Sequence, residues 1–197
     1  MAVSLGPEDE DVTAAQRGEV RAFERLFRGI QPALLRYLRT LVGEEAPDVA
    51  SETWLQVARD LGTFRGDGSD FKGWVVTIGR HRALDHLRAK GRRPSDPFDP
   101  ADLPMRTAPD DTFAATDESL ATSRALDLIG RLPRDQAEAV LLRVVVGLDA
   151  PAAAKVLGKR AGAVRMATSR GLARLEQLIA ERQGVTVRGS SALNELR

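Results

Sequence analysis

The chain has 197 residues, 43% of them hydrophobic and 29% charged, and its 29 Lys and Arg nearly balance 28 Asp and Glu for a net charge of +1. That composition suits folded soluble structure, in one large domain or two small ones, and argues against wholesale disorder. With no cysteine and only two histidines, His81 and His86, a disulfide scaffold, a thiolate metal site and a cysteine nucleophile are excluded, and a histidine-rich metal centre is hard to build.

Residues Met1–Glu10 lack the basic start and apolar core of a secretory signal, and no apolar run approaches the ~18 residues of a membrane span. A cytoplasmic protein without membrane insertion is the expectation. Scarce aromatics, abundant Ala, Leu and Arg, and no strand alternation point to an all-α fold. Pro94, Pro97, Pro100, Pro104 and Pro109 prevent a regular helix between two helical modules, so residues 94–118 read as an inter-domain linker. The modules are 8–93 and 119–182, and the Gly- and Ser-containing 183–197 reads as a loosely ordered tail.

In the first module the pattern predicts helices over about 8–17, 19–42 (interrupted near Pro32), 47–61 and 69–90. On the third helix Val49, Ala50, Thr53, Trp54, Val57 and Leu61 fall on one side. The other side carries Asp48, Ser51, Glu52, Gln56 and Arg59 around Leu55. A leucine ringed by polar groups can be incidental surface or the anchor of a protein-docking surface. A turn at Phe64–Asp70 leads into the fourth helix. There the stripe of Phe71, Trp74, Val75 and Ile78 gives way to Arg82 and Asp85, while apolar positions move round to Val76, Ala83 and Leu87. That helix must bend near Gly79 or pack on two sides, and its second half should turn guanidinium groups toward solvent.

In the second module Leu132-Pro133 opens a helix with an apolar stripe of Ala137, Val140, Leu141, Val144 and Val145, ended by Gly147. A helix from Ala150 to Leu157, Gly158, and a long helix from about Ala161 to Arg182 follow. Ala154, four residues before Gly158, and Val164, six after it, have the spacing of a helix-turn-helix. Val164, Ala167, Gly171, Leu175 and Leu178 lie inward on the long helix. Gly162, Arg165, Met166, Ser169 and Arg170 lie outward, as on a recognition helix in a major groove. Lys159 and Arg160 precede it, placed for backbone phosphates.

Charge is unevenly distributed. Residues 80–93 carry six basic residues against Asp85 alone, residues 94–119 carry seven acids against Arg106, and residues 155–174 carry six basic residues and no acid. Two cationic blocks around an anionic strip suggest a polyanion held at two places.

Taken together the residues resemble a bacterial sigma factor of the extracytoplasmic-function (ECF) group, which has only regions 2 and 4. Phe23-Glu24-Arg25-Leu26-Phe27 and Leu34-Leu35-Arg36-Tyr37-Leu38 resemble the opening helices of region 2. Asp48-Val49-Ala50-Ser51-Glu52-Thr53-Trp54 resembles the segment that docks on the β′ clamp helices of RNA polymerase. Phe64-Arg65-Gly66, Phe71-Lys72-Gly73-Trp74 and Ile78 to Arg88 resemble the element that reads and melts the −10 promoter region. Leu132-Pro133, Gln136 to Arg143 and the helix-turn-helix resemble region 4, which binds the −35 element.

The resemblance implies core-polymerase binding through Asp48, Glu52, Leu55, Gln56 and Arg59. It implies −10 contacts by Arg65, Ser69, Lys72, Trp74, Arg80, His81, Arg82, Arg88, Arg92 and Arg93. For Trp74 the apolar stripe favours core packing over stacking on a base. The implied −35 contacts are Lys159, Arg160, Gly162, Ala163, Arg165, Met166, Ser169 and Arg170. Implied partners are core RNA polymerase (the β′ clamp helices and the β subunit), promoter DNA and an anti-sigma factor, with no cofactor or metal. The chain departs from its relatives at His81, where Asn is common, at Ser51, where Gln is frequent, and at Ala161, where Pro is frequent.

Two other readings compete with this one. A non-sigma helix-turn-helix regulator would account for the second module but leaves residues 19–92 unexplained. An enzyme would have to use His81, Asp85 and His86. Histidines five apart sit about 140° round a helix and make a poor ligand pair, and no phosphate loop or nucleophile elbow is present.

Overall fold

Why the chain folds as helices is visible at their ends and faces. The computed structural model describes residues 7–90 and 117–182, with eight α-helices and no strand among them. In the first module these are α1 (Pro7–Gln16), α2 (Val20–Val42), α3 (Ala46–Asp60) and α4 (Gly68–Lys90). The second holds α5 (Asp117–Gly130), α6 (Arg134–Val140), α7 (Ala150–Leu157) and α8 (Ala161–Arg182). Arg92, Arg93, most of the 94–118 linker and the 183–197 tail lie outside the described residues.

Helix α2 runs unbroken through Pro32, which corrects the expected interruption. Pro32 is exposed, so the carbonyl that loses its helical partner faces water rather than the core. One face of α2 carries Leu26, Ile30, Leu34, Tyr37, Leu38 and Leu41 into the first module's interior. Helix α4 answers the question raised by its shifting stripe by packing on two sides. Phe71, Val75, Val76 and Ala83 are all fully buried, and α4 packs on α1, α2, α3 and α7. Gly79 permits the close approach to α2, since a Cβ there would lie 2.9 Å from Leu34 Cδ1.

In the second module α6 passes into a π-turn over Leu141–Val145. The wider turn changes the angular phase of the residues after it. Leu141 and Leu142 stay buried, Val146 joins the core, and Val144 turns outward at 58% exposure. The sequence stripe had placed Val144 inward, because constant helical spacing carries no allowance for the extra residue. Helix α5, which that reading did not single out, packs on α6 and α8 and brings Leu126, Leu128 and Ile129 to the interior.

The two modules share one apolar core in this structure. Helix α7 lies along α4, and the π-turn packs against α2.

Candidate nucleic-acid interface

The helix-turn-helix is built from local signals. Asp149 caps α7 by accepting the Ala152 amide at 2.7 Å. Gly158 ends α7 in the left-handed region at φ 63°, ψ 33°, and the Lys159 amide reaches back to the Ala154 carbonyl at 3.0 Å. Val164 and Ala167 are buried against α6 and α7. Gly171 lets α8 close on α6, because a Cβ there would fall 2.7 Å from Val140 Cγ2. These contacts fix the rotation of α8, leaving Gly162, Ala163, Arg165, Met166, Ser169 and Arg170 outward, with Lys159 and Arg160 exposed just before the helix. None of the four cations in that set forms an ion pair among the described residues. Arg165 and Ser169 line a shallow groove of about 450 Å³ with Arg143, Thr168, Leu172 and Glu176. The face is electropositive and donor-rich, suited to phosphates and base edges.

A second face lies on α3. Trp54 Nε1 donates to Gln31 Oε1 at 2.6 Å, and the indole packs on Phe23 and Phe27 with ring centroids at 5.8 and 4.9 Å. Thr53 is buried, its hydroxyl donating to the Val49 carbonyl at 2.7 Å. With that side anchored, Leu55 stands 67% exposed among exposed Asp48, Ser51, Glu52 and Arg59. Gln56 is half-buried; its oxygen accepts from Arg82 Nε at 3.0 Å and its amide donates to Asp60 at 3.4 Å. An expected docking residue and an expected −10 residue are thus joined.

The 64–90 segment is more closed than the sequence implied. Phe64, Phe71 and Trp74 pack together with centroids 5.0 to 5.7 Å apart, which gives Trp74 a structural role. Asp67 caps α4 through the Asp70 amide at 2.8 Å. That backbone bond, aided by the Ser69 hydroxyl, holds the Asp67 carboxyl below its usual pKa. The Arg65 guanidinium donates to the Gly62 and Phe64 carbonyls. Ser69 and His81 are exposed, and Arg88 pairs with Asp85 at 2.7 Å.

Arg80 departs most from expectation. Only 17% of its side chain is exposed, and it pairs at 3.3 Å with Glu138 of α6, whose side chain is 5% exposed. Burial works against the Arg80 charge, but the facing Glu138 carboxylate outweighs it and the pKa is raised. Arg134 approaches the same carboxylate at 3.6 Å. The hydroxyl of fully buried Tyr37 sits beside this cluster without a hydrogen bond of good geometry, and burial, with the Glu138 charge, pushes its pKa up. The solvent-facing guanidinium cluster expected on the second half of α4 is therefore corrected at Arg80, because a residue from the other module neutralises it. Glu138 was missed as a partner. Its one signal was a carboxylate set between Ala137, Ala139, Val140 and Leu141, where an acid must find a cation.

The helices and their faces define a two-module protein with one helix-turn-helix, and known families divide it in the same place. Sigma-70 region 2 matches residues 26–93 and sigma-70 region 4 matches residues 123–175. The chain is 35% identical over 176 residues to the ECF RNA polymerase sigma factor BldN of Streptomyces coelicolor, covering 86% of this chain but 65% of that relative, just under two thirds of its length. It is 34% identical over 178 residues to the ECF RNA polymerase sigma factor ShbA of Streptomyces griseus, covering 85% of this chain and 92% of that one. The chain belongs to the ECF sigma factors of bacterial RNA polymerase. Proteins of this family are transcription initiation factors, and the reading as a separate helix-turn-helix regulator is not favoured. The fold is also similar to the solved structure of CnrH in complex with the cytosolic domain of CnrY. The TM-score is 0.64 at 23% identity, over 89% of this chain and 99% of that one. No described helix is long and apolar enough to cross a membrane.

Proposed function

We propose that the protein acts in the cytoplasm as the dissociable promoter-specificity subunit of RNA polymerase. The α3 face binds the β′ clamp helices through Leu55, with Asp48, Glu52, Gln56 and Arg59 forming a polar rim that fixes orientation. The second module meets the β subunit and holds the −35 duplex. Lys159 and Arg160 contact phosphates there, while Arg165, Met166, Ser169 and Arg170 face base edges beside the small Gly162 and Ala163. The segment from Arg65 to Arg93 engages the −10 element through Arg65, Ser69, Lys72, Arg80, His81, Arg82, Arg88, Arg92 and Arg93. It offsets the unstacking of bases with phosphate contacts and capture of a freed base. Trp74 supports that surface from the aromatic cluster. An anti-sigma factor that covers these faces is the natural negative regulator.

The single observation that carries this reading is the outward face of α8: a helix-turn-helix second helix with exposed cations and no acid from Lys155 to Arg174. The test mixes the purified chain with core polymerase on genomic promoter fragments and measures run-off transcripts. Transcripts that require both components support the reading. Sequence-specific duplex binding without polymerase, and no initiation, would instead indicate a stand-alone regulator.

A further inference from the structure

The described Arg and Lys residues on the second half of α4 fall into two kinds. Arg80 faces Glu138, Arg88 faces Asp85, and Lys90 faces Glu45. Each of these charges already has a carboxylate beside it. Arg82 does not. Its Nε donates at 3.0 Å to Oε1 of Gln56 on α3, a neutral amide. Its two terminal nitrogens have no hydrogen-bond or ion-pair partner among the described residues. Both side chains grow from fixed backbone, since their chain neighbours Val57 and Ala83 are fully buried and α3 packs along α4.

The sense of the amide is dictated by its two neighbours. A guanidinium can only donate, and an ionised carboxylate can only accept. Gln56 therefore turns its oxygen to Arg82 and its nitrogen to Asp60, one helical turn on, at 3.4 Å. A carboxamide bridges donor and acceptor in this way without cancelling the charge of either. A guanidinium anchored at Nε keeps its planar fork in one orientation, so the terminal nitrogens are presented as a pair to an incoming phosphate. Glu138 and Asp85 oppose the charge of the arginines they hold. Gln56 holds an arginine whose charge remains available.

We propose that Gln56 is a positioning residue for nucleic-acid binding, one that orients Arg82 as a phosphate anchor on α4. The inference deepens the proposed function and rests on its reading of α4 as a −10 element. Gln56 touches no nucleotide in this role. It removes in advance the freedom that a long side chain otherwise loses on binding, worth ~2- to 10-fold in affinity per ordered side chain. Loss of the amide therefore leaves the phosphate contact possible but weaker. Loss of Arg82 removes the contact together with the counterion it displaces. The two losses differ in salt dependence, since log affinity for a single strand falls with log salt by about 0.7 per phosphate neutralised.

The probe is a fluorescent single-stranded DNA 20-mer of mixed sequence, titrated with the full chain in the presence of excess core polymerase. Anisotropy with core alone is the baseline, and the excess is set for each variant so that any effect of position 56 on docking is kept out of the result. Arg82→Ala is expected to weaken strand binding ~10-fold and to lower the salt slope by about 0.7. Gln56→Ala is expected to weaken binding ~5-fold with the slope unchanged, and to have no further effect in the Arg82→Ala chain. Should Gln56→Ala lose helicity, Gln56→Glu takes its place. A carboxylate there keeps the hydrogen bond but neutralises Arg82, so it must lower the slope as Arg82→Ala does. Wild-type affinity in a folded Gln56→Ala chain, a changed slope in that variant, an unchanged slope in Gln56→Glu, or additive losses at 56 and 82 would overturn the inference. Core-dependent transcription is scored separately. Its absence overturns the functional reading, whereas additive losses in a chain that transcribes remove this inference alone.

Discussion

Gly171→Ala isolates the contact that seats α8 against α6. Alanine is the better helix former, and the exchange would gain about 1 kcal/mol at an open helical site. Gly171 is not open. Its new Cβ would lie 2.7 Å from Val140 Cγ2, 3.3 Å from the Gln136 carbonyl oxygen and 3.4 Å from Gln136 Cβ. Val140 is 1% exposed and has no free volume into which to move. Overpacking of this kind costs about 1–3 kcal/mol, so the net change should be a loss of about 1 kcal/mol. Gly29→Ala provides the reference, because nothing lies within 4 Å of its added Cβ and the helix gain of about 1 kcal/mol appears unopposed. Urea unfolding followed by helical circular dichroism should therefore place the two Gly→Ala variants about 2 kcal/mol apart. Val140→Ala removes the obstructing methyl groups. Combined with Gly171→Ala it should show a favourable coupling of about 1–2 kcal/mol. Equal stability changes at positions 29 and 171, with no coupling to Val140, would refute the account of how α8 is seated.

Replacing Arg165 or Arg170 with Ala should weaken −35 duplex binding by about 1–3 kcal/mol if each makes a bidentate base contact. Fluorescence anisotropy on matched and scrambled duplexes checks this, and equal loss on both would reassign the residue to phosphates. Leu55→Asp should abolish core-polymerase binding in a pull-down while leaving helical content intact, since the side chain is exposed and supports no core. Arg25 hydrogen-bonds Asp11 at 2.9 and 3.0 Å and holds its carboxyl below the usual aspartate pKa. Because the folded-state pKa is the lower one, this support of the α1–α2 packing is complete above pH 3.8 and is lost as acid protonates Asp11. Asp11→Asn should remove that part of the acid dependence of unfolding.

Much of the second module was legible because its signals are local. Gly158, Ala154 and Val164 specify a turn and the packing beneath it within eleven residues, and the outward residues of α8 follow from helical geometry alone. Leu55 was legible for the same reason, as an apolar residue on a polar arc. Pro32 was misread because proline's cost depends on which way its side of the helix faces, and only the packed structure shows that it faces water. Val144 was misread because a π-turn inserts one residue into a phase that spacing treats as constant. The Arg80–Glu138 pair spans 58 positions, and no periodicity in either helix encodes it. Each partner showed only half the pattern: a cation on a basic helix and an acid within an apolar run.

Helix α1 lies ahead of the region that matches sigma-70 region 2, which begins at residue 26, yet it braces the turn before α4. The Asp9 carboxylate accepts the Gly68 amide at 2.6 Å, and the Gln16 amide holds the carbonyls of Leu61 and Phe64 at 3.0 and 2.9 Å. An aminopeptidase or endoprotease that removed this leading segment would spare exposed Leu55 and the outward face of α8. It would nevertheless unfasten the corner that leads into α4. Trimming at the amino end would thus leave a chain whose helices survive but whose entry into α4 is no longer held from outside.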